Sequence, residues 1–479
     1  MMSEQRALPS DAALATGLPL GQGGRTHQTA ISYDAVIVGG GIVGCTTALL
    51  LRRALPDLRV AIIEQQSFRE PFFREPRFSD DVLWSRVWRV SALSLSVRAI
   101  LSQLGVWTDL VEQGLCPYHD MVLTDADGSG RLHLSAQDAG ESCLGYIVEN
   151  EAVCQRLRAQ CLQAAGIDCL DTHRVSGLDV SKAPMRTRVF CHQNNTTARN
   201  PVVTILETPL VVGAEGRGSV VRELAGFSTR HVDYGQSALV CQMQLDRPHG
   251  WTAWQDFHET GPVAFLPLTQ RTGFDPALEM GWPAAQETER VCSLVWSLPS
   301  AEAAHWMQHA TTTAFQRALN RVAPSGVGTI ERCSVLQAFP LVGHTVQQLI
   351  QPGVVLVGDA AHGYHPMAGQ GLNVGVLDAA VLVDQLVLRA TRSGRFAHPA
   401  ALRRYERLRR FHHASMFALT SGLHDLYGRS AWCLRMGRNL GLSALDRLGV
   451  VKKGLIYMAN GHRTDLPERY REGVNAALF

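Results

Sequence analysis

Two glycine-rich stretches carry the residue types and spacing from which chemistry can be read: Gly39-Gly40-Gly41-Ile42-Val43-Gly44 and, more than three hundred residues later, Gly369-Gln370-Gly371-Leu372-Asn373, shortly after Gly358-Asp359. A glycine turn between strand and helix lets backbone approach a pyrophosphate, and free N–H groups at the helix N-terminus face the phosphate charge. In this reading Gly39 makes the tight turn, Gly41 admits the phosphates and Gly44 permits close helix-to-strand packing. Glu64, twenty residues beyond Gly44 at the end of the run Val60 to Ile63, is spaced to accept both ribose hydroxyls of an adenosine. This motif alone does not separate NAD from FAD. The later one decides: Gly369, Gly371 and the backbone up to Asn373 carry no bulk to obstruct an isoalloxazine ring. The helix N-terminus there suits the negative charge that gathers at the N1/C2=O edge of reduced flavin. Each stretch alone is a weak signal; in this order and at this distance they are the two ends of one FAD site.

The elements that must hold these residues are legible nearby. Ala35 to Val38 is a β-branched run fit for a buried parallel strand, and Ile42 to Arg53 follows with helical apolar spacing and two terminal arginines. Leu372, Val376, Ala379, Val383 and Leu386 recur at helical spacing and predict a buried core helix. The apolar stretch Ala35 to Leu51 approaches membrane-spanning length, but its glycines fit strand plus helix better. Residues 1–30 are polar, lack the apolar centre of a signal peptide and are expected to form a flexible tail.

Composition excludes several functions. The net charge of +2 offers no basis for binding nucleic acid, and eleven cysteines without one C-x-x-C pair predict buried free thiols in a reducing cytoplasm. His362 and His365 stand three apart with no third ligand at suitable spacing, so no metal site is expected. No G-x-S-x-G elbow is present. From Arg403 to Lys453 there are eleven Lys/Arg against three Asp/Glu, interleaved with Phe411, Met416, Phe417, Leu423, Trp432 and Leu434. A basic, apolar-faced helical stretch of this kind suits an anionic membrane surface or a partner, although an ordinary solvated helical face has the same composition.

Further blocks give the chain a specific likeness. Arg89-Val90-Ser91-Ala92-Leu93 with Leu104-Gly105-Val106-Trp107, Leu144 to Asn150, Phe257 with Gly261 to Leu268, Leu294-Val295-Trp296, and Ala338 to Leu341 together resemble the class A flavoprotein aromatic hydroxylases, and more closely the ring hydroxylases of ubiquinone biosynthesis. The resemblance implies that Arg89 lies against the flavin ribityl and phosphate, that Asn150 contacts FAD and that Asp359 binds the ribityl chain. His365, in the loop between Asp359 and Gly369, is the candidate catalytic residue beside the flavin, shaping the pocket or relaying a proton. Two positions depart from the family pattern. Glu215, in Val211 to Arg222, replaces the usual aspartate of a motif associated with FAD and NADPH, and Gly363-Tyr364 stands where a small β-branched pair is common.

The likeness implies an α/β (α+β) fold: a Rossmann-like FAD-binding domain with an inserted, mostly antiparallel substrate sheet and a C-terminal helical region. The FAD domain is expected at 31–115, 146–228 and 330–392, the substrate-binding sheet at 116–145 and 229–329, and the helical region at 393–479. Alternating segments such as Ser237 to Leu245 and Cys292 to Leu298 suit that sheet. The expected activity is hydroxylation of a polyprenylated phenol by O2 through a flavin C4a-hydroperoxide, with NADPH or another reductant as electron donor. No single catalytic base is legible. A cytoplasmic location, peripheral at the inner membrane face through 403–457, and membership of a ubiquinone-biosynthesis complex go with it. Two alternatives share the fold: a hydroxylase of a soluble aromatic compound, and a flavin-bearing, non-catalytic subunit of a complex.

Overall fold

The computed structural model describes residues 30–69, 84, 89–181, 186–194, 203–269, 273–274, 289–308, 313–365, 369–394, 396–427, 432–461 and 466–470; apart from residue 30, the expected tail lies outside them. Ala35–Val38, Val60–Ile63, Val211–Gly213 and Val354–Leu356 are short, completely buried strands. Strands covered on both faces need no polar alternation, which is why each reads as an unbroken apolar run. They pair in parallel, with Ala35–Val38 between Val60–Ile63 and Val211–Gly213, and Val354–Leu356 beyond the latter. The stretch Ala35 to Leu51 is indeed strand and helix, with the helix at Ile42–Ala54. That helix packs against Asn150–Gln163 and against the 23-residue helix Gly371–Ser393. Val376, Ala379, Val383 and Leu386 of the latter are fully buried. It is the one helix among the described residues long and apolar enough to cross a membrane, and 83% of its apolar window is buried inside the protein.

Among the described residues a second sheet has nine strands and is mostly antiparallel; only Thr252–His258 and Asp120–Asp125 pair in parallel there. Its spine is the 17-residue strand Thr229–Leu245, flanked by Val291–Pro299 and Gln337–Val346. Ile330–Cys333 and Gln337–Val346, which the sequence reading assigns to the FAD-binding part, pair with this spine. A strand so long exposes more edge than its upstream neighbours cover. Two extra residues, Tyr234 and Gly235, bulge from the spine between Asp233 and Gln236, with Gly235 at φ +63.

Three helices follow, Pro399–Tyr427, Trp432–Arg447 and Gly449–Ala459. The first packs along Gly371–Ser393. Two of their arginines turn inward: Arg409 is completely buried, and buried Arg438 meets buried Asp125 at 3.0 Å. The ten described cysteines are free thiols.

Candidate functional site

At the first glycine turn each residue has a distinct steric reason. Gly39 sits at φ +103, and a Cβ there would lie 2.5 Å from the Ala214 carbonyl oxygen. A Cβ on Gly44 would lie 1.9 Å from the Gly39 carbonyl oxygen, so only glycine lets helix and strand come this close. A Cβ on Gly41 would meet nothing within 4 Å among the described residues, and no side chain caps the helix that follows. Open space in front of uncapped N–H groups is what a pyrophosphate requires. Glu64 closes the turn: its Oε2 accepts from the Gly40 N–H at 2.6 Å and its Oε1 from the Gln66 N–H at 2.9 Å. Buried Arg158, which sequence reasoning missed, donates from Nε to the Gly40 carbonyl at 2.8 Å and stands 3.8 Å from Glu64 Oε2.

The second cradle is a short 3-10 turn, Gly358–Ala360, at the end of strand Val354–Leu356. Its backbone is held from three directions. The Gly358 N–H donates to Asp378 Oδ2 at 3.1 Å, His344 Nε2 donates to the Asp359 carbonyl at 2.9 Å, and Arg222 Nη1 donates to the Ala360 carbonyl at 3.0 Å. Burial and the nearby Arg222 guanidinium push the His344 pKa down to about 4, so this donor stays neutral. The Asp359 side chain itself is exposed. The turn is thus rigid while its carboxylate is available to a ligand.

At the ring end Gly369 takes φ +59, and Gly371 opens the long helix with no side-chain cap and no acid in its first turn. Buried Asn373 is a clamp: its Oδ1 accepts from the Ser94 N–H at 3.0 Å, and its Nδ2 donates to the Ala92 carbonyl at 2.8 Å and to Gln370 Oε1 at 3.2 Å. It ties the helix start to the end of strand Val90–Leu93. That strand pairs with Gly145–Glu149, so the Asn150 N–H donates to the Arg89 carbonyl at 2.9 Å and the two residues stand together. The Arg89 guanidinium lies over the Phe339 ring at 5.2 Å. Asn150 Oδ1 is buried with no hydrogen-bond partner among the described residues, an acceptor that a ligand hydroxyl would satisfy. These features fit FAD along its whole length.

Other expected residues have partners within the protein. Both Glu215 oxygens are engaged within its own turn, by Ser219 Oγ at 2.7 Å and the Val221 N–H at 2.9 Å, while burial raises its pKa. The added methylene relative to aspartate gives this carboxylate its reach. His365 is buried, its Nε2 paired with Gln236 Oε1 at 3.0 Å and its ring edge-on to Tyr234 at the strand bulge. His362 joins a different cluster: its Nε2 and that of His413 each donate to Asp378 at 2.8 Å, and Arg409 Nε donates to the same carboxylate at 2.6 Å. The neighbouring charges hold Asp378 well below the usual carboxylate range despite its burial. His362, Asp378 and His413 lie close enough to hold a metal ion, which the spacing of His362 and His365 did not reveal. Both Nε2 atoms are spent as donors, however, and Arg409 already supplies the cation, so the set is an ion-pair network. Tyr364, at the position departing from the family pattern, stacks on His362 with centroids 4.7 Å apart.

The two-ended FAD cradle on a parallel sheet, joined to a large antiparallel sheet, is an arrangement shared with FAD-dependent monooxygenases, and family and relatives place the chain in that class. The FAD binding domain family matches residues 32–419. The chain is 32% identical over 432 residues to the 3-demethoxyubiquinol 3-hydroxylase of Escherichia coli (strain K12), covering 89% of this chain and 98% of that one. It is 30% identical over 430 residues to the ubiquinone hydroxylase UbiL of Rhodospirillum rubrum, covering 89% of each. In fold it matches p-nitrophenol 4-monooxygenase PnpA from Pseudomonas putida DLL-E4, with a TM-score of 0.67 at 17% identity over 90% of this chain and 100% of that one. PqsL from Pseudomonas aeruginosa matches with a TM-score of 0.64 at 20% identity, over 86% of this chain and 100% of that one. The chain belongs to the FAD binding domain family, and within it to the group of the ubiquinone-biosynthesis hydroxylases.

Proposed function

We propose that this protein hydroxylates the aromatic ring of a polyprenylated phenol in ubiquinone biosynthesis, with O2 as oxidant and NADPH or another donor as reductant. The observation that carries this reading is the near full-length match to a 3-demethoxyubiquinol 3-hydroxylase, alongside a family match over residues 32–419 that includes both ends of the FAD cradle. When bound, FAD supplies the activation of oxygen. The chain's own residues bind and orient it. Gly39, Gly41, Gly44 and Glu64 take the ADP half; Arg89, Asn150 and Asp359 take the ribityl chain and phosphate; Gly369, Gly371 and Asn373 shape the ring end. Glu215 braces the turn between the strand Val211–Gly213 and the helix Val220–Leu224, and His365 lies in the pocket beside the flavin. Analysis of quinones from a strain lacking this gene tests the activity. Accumulation of a prenylated precursor lacking one ring oxygen, reversed by the intact chain, is expected; an unchanged quinone profile overturns the reading.

A polyprenyl substrate brings the enzyme to the bilayer, and the C-terminal helices support peripheral contact there. Phe411 is 74% exposed, Leu440 65% and Val450 89%, within the strongly basic stretch 403–457. Apolar residues standing out from a basic helical surface suit the interface of an anionic membrane. Membership of a ubiquinone-biosynthesis complex is the alternative use of this surface.

A further inference from the structure

The helix Pro399–Tyr427 sends one stripe of side chains into the core, Tyr405, Arg409 and His413, spaced four and four. Each reaches a different piece of the second flavin cradle. The Tyr405 hydroxyl donates to the Leu356 carbonyl at 2.9 Å, on the strand that delivers Gly358. Arg409 Nη2 donates to the Val374 carbonyl at 3.3 Å, in the first turn of the helix that faces the ring. Arg409 Nε and His413 Nε2 both donate to Asp378 Oδ1. Asp378 passes the connection on, since its Oδ2 accepts from His362 Nε2 and from the Gly358 N–H.

Asp378, Arg409 and His362 are completely buried and His413 nearly so. Replacing a buried ion network with apolar side chains of similar volume is often neutral or stabilising, so stability alone gives no account of this one. Geometry does. Of the four donors on Asp378, three are side chains and the fourth is the backbone of Gly358, one residue before Asp359. The turn has little freedom on its other sides: a Cβ on Gly358 would lie 3.2 Å from Val43, and one on Gly375 would lie 3.1 Å from the Gly358 Cα. The Gly358–Asp359 turn is wedged between the helices Ile42–Ala54 and Gly371–Ser393, with Asp378 fixing its depth.

We propose that Asp378 is a positioning residue for FAD, acting through Asp359, and that Arg409 and His413 make the C-terminal helix a working part of the cofactor site. This rests on the reading that the Asp359 carboxylate binds the flavin ribityl chain. The test is a double-mutant cycle in the full-length apoprotein, titrated with FAD and read as dissociation constant and as visible circular dichroism of the bound flavin. Asp378→Asn and Asp359→Ala each raise the dissociation constant by about tenfold or more, and the double variant is within about threefold of the weaker single variant. Asp359→Ala binding FAD like the wild type overturns the reading of Asp359 and the proposal with it. Asp359→Ala weakened, with Asp378→Asn adding its full factor in the double variant, leaves that reading intact and overturns only the positioning role. If Asp378→Asn gives no folded apoprotein, Tyr405→Phe, which removes one hydroxyl, takes its place in the same cycle with the same two outcomes. His413→Gln, which retains an N–H donor at similar reach, restores the wild-type flavin spectrum that His413→Leu loses; equal loss in both overturns the proposal.

Discussion

Gly44 stands so near Gly39 that a Cβ on the one would lie 1.9 Å from the carbonyl oxygen of the other. The neighbouring Gly41, in the same turn, would accept a Cβ without touching the described residues. These two glycines therefore separate folding from binding. Gly44→Ala must push the first helix off the sheet and is expected to lower apoprotein stability by about 1–3 kcal/mol, as overpacking does. Gly41→Ala is expected to keep the apoprotein melting temperature within a few degrees but to weaken FAD binding by about tenfold or more, since the methyl group enters the space in front of the N–H groups. Thermal melts of the apoproteins and FAD titrations distinguish the two. Equal loss of stability in both variants contradicts the assignment.

Arg438 and Asp125 form a second buried ion pair, joining the helix Trp432–Arg447 to the large sheet. Arg438 also donates to the carbonyls of Leu426 and Tyr427, and its guanidinium lies over the Tyr427 ring, which stacks on Phe257. Arg438→Met strands a buried carboxylate and is expected to cost about 3–5 kcal/mol by denaturant unfolding. Adding Asp125→Leu is expected to recover part of that loss. A double variant no more stable than Arg438→Met would show that the carbonyl contacts, not the ion pair, dominate.

Burial keeps four histidines neutral. The pKa values of His249, His344 and His413 are pushed down to about 4, and that of His412 to about 3, with Arg409 adding to the effect at His412. In the unfolded chain these imidazoles take up protons near pH 6.5, whereas the native state resists protonation until far lower. Their contribution to stability is complete above about 6.5 and is lost as the pH falls from there towards 4. Unfolding free energy measured from pH 7.5 to 4.5 is expected to decline with proton uptake on unfolding. A flat profile would show that these side chains are hydrated in solution.

Liposome flotation tests the C-terminal surface. Binding to vesicles containing anionic lipid, weakened by salt and reduced about fivefold or more in a Phe411→Ser/Leu440→Ser/Val450→Ser variant, is expected from loss of exposed apolar area. Failure of the intact protein to float at low salt removes the membrane assignment.

The glycine turns were legible because their chemistry is local: a few fixed offsets specify strand, turn and helix, and Glu64 follows at a spacing set by one helix and one strand. Arg158 was not, because its partner Gly40 lies 118 residues away. The histidines show the same limit. His362 and His365 look like a pair in sequence, yet the first turns to Asp378 and the second to Gln236 on the antiparallel sheet. One sign was available: Asp378 is an acid within a helix whose neighbouring positions are almost all apolar, and a buried carboxylate demands donors. Which donors could be learned only from the packing of Pro399–Tyr427 against it. Likewise residues 330–346 fall within the expected FAD domain, and their pairing with Thr229–Leu245 emerges only when the length of that strand is known.

The sheet order also has a consequence for synthesis. Ala35–Val38 is bordered by Val211–Gly213, and that strand in turn by Val354–Leu356, so the first strand leaves the ribosome long before one of its two neighbours exists. At about 5–20 residues per second, the wait for the partner more than 170 residues downstream lasts roughly 10–35 s. During that interval a fully apolar strand and the glycine turn beside it have no lasting cover on one edge. The two ends of the flavin cradle coexist only once Asn373 has been synthesised, more than three hundred residues after the first glycine turn.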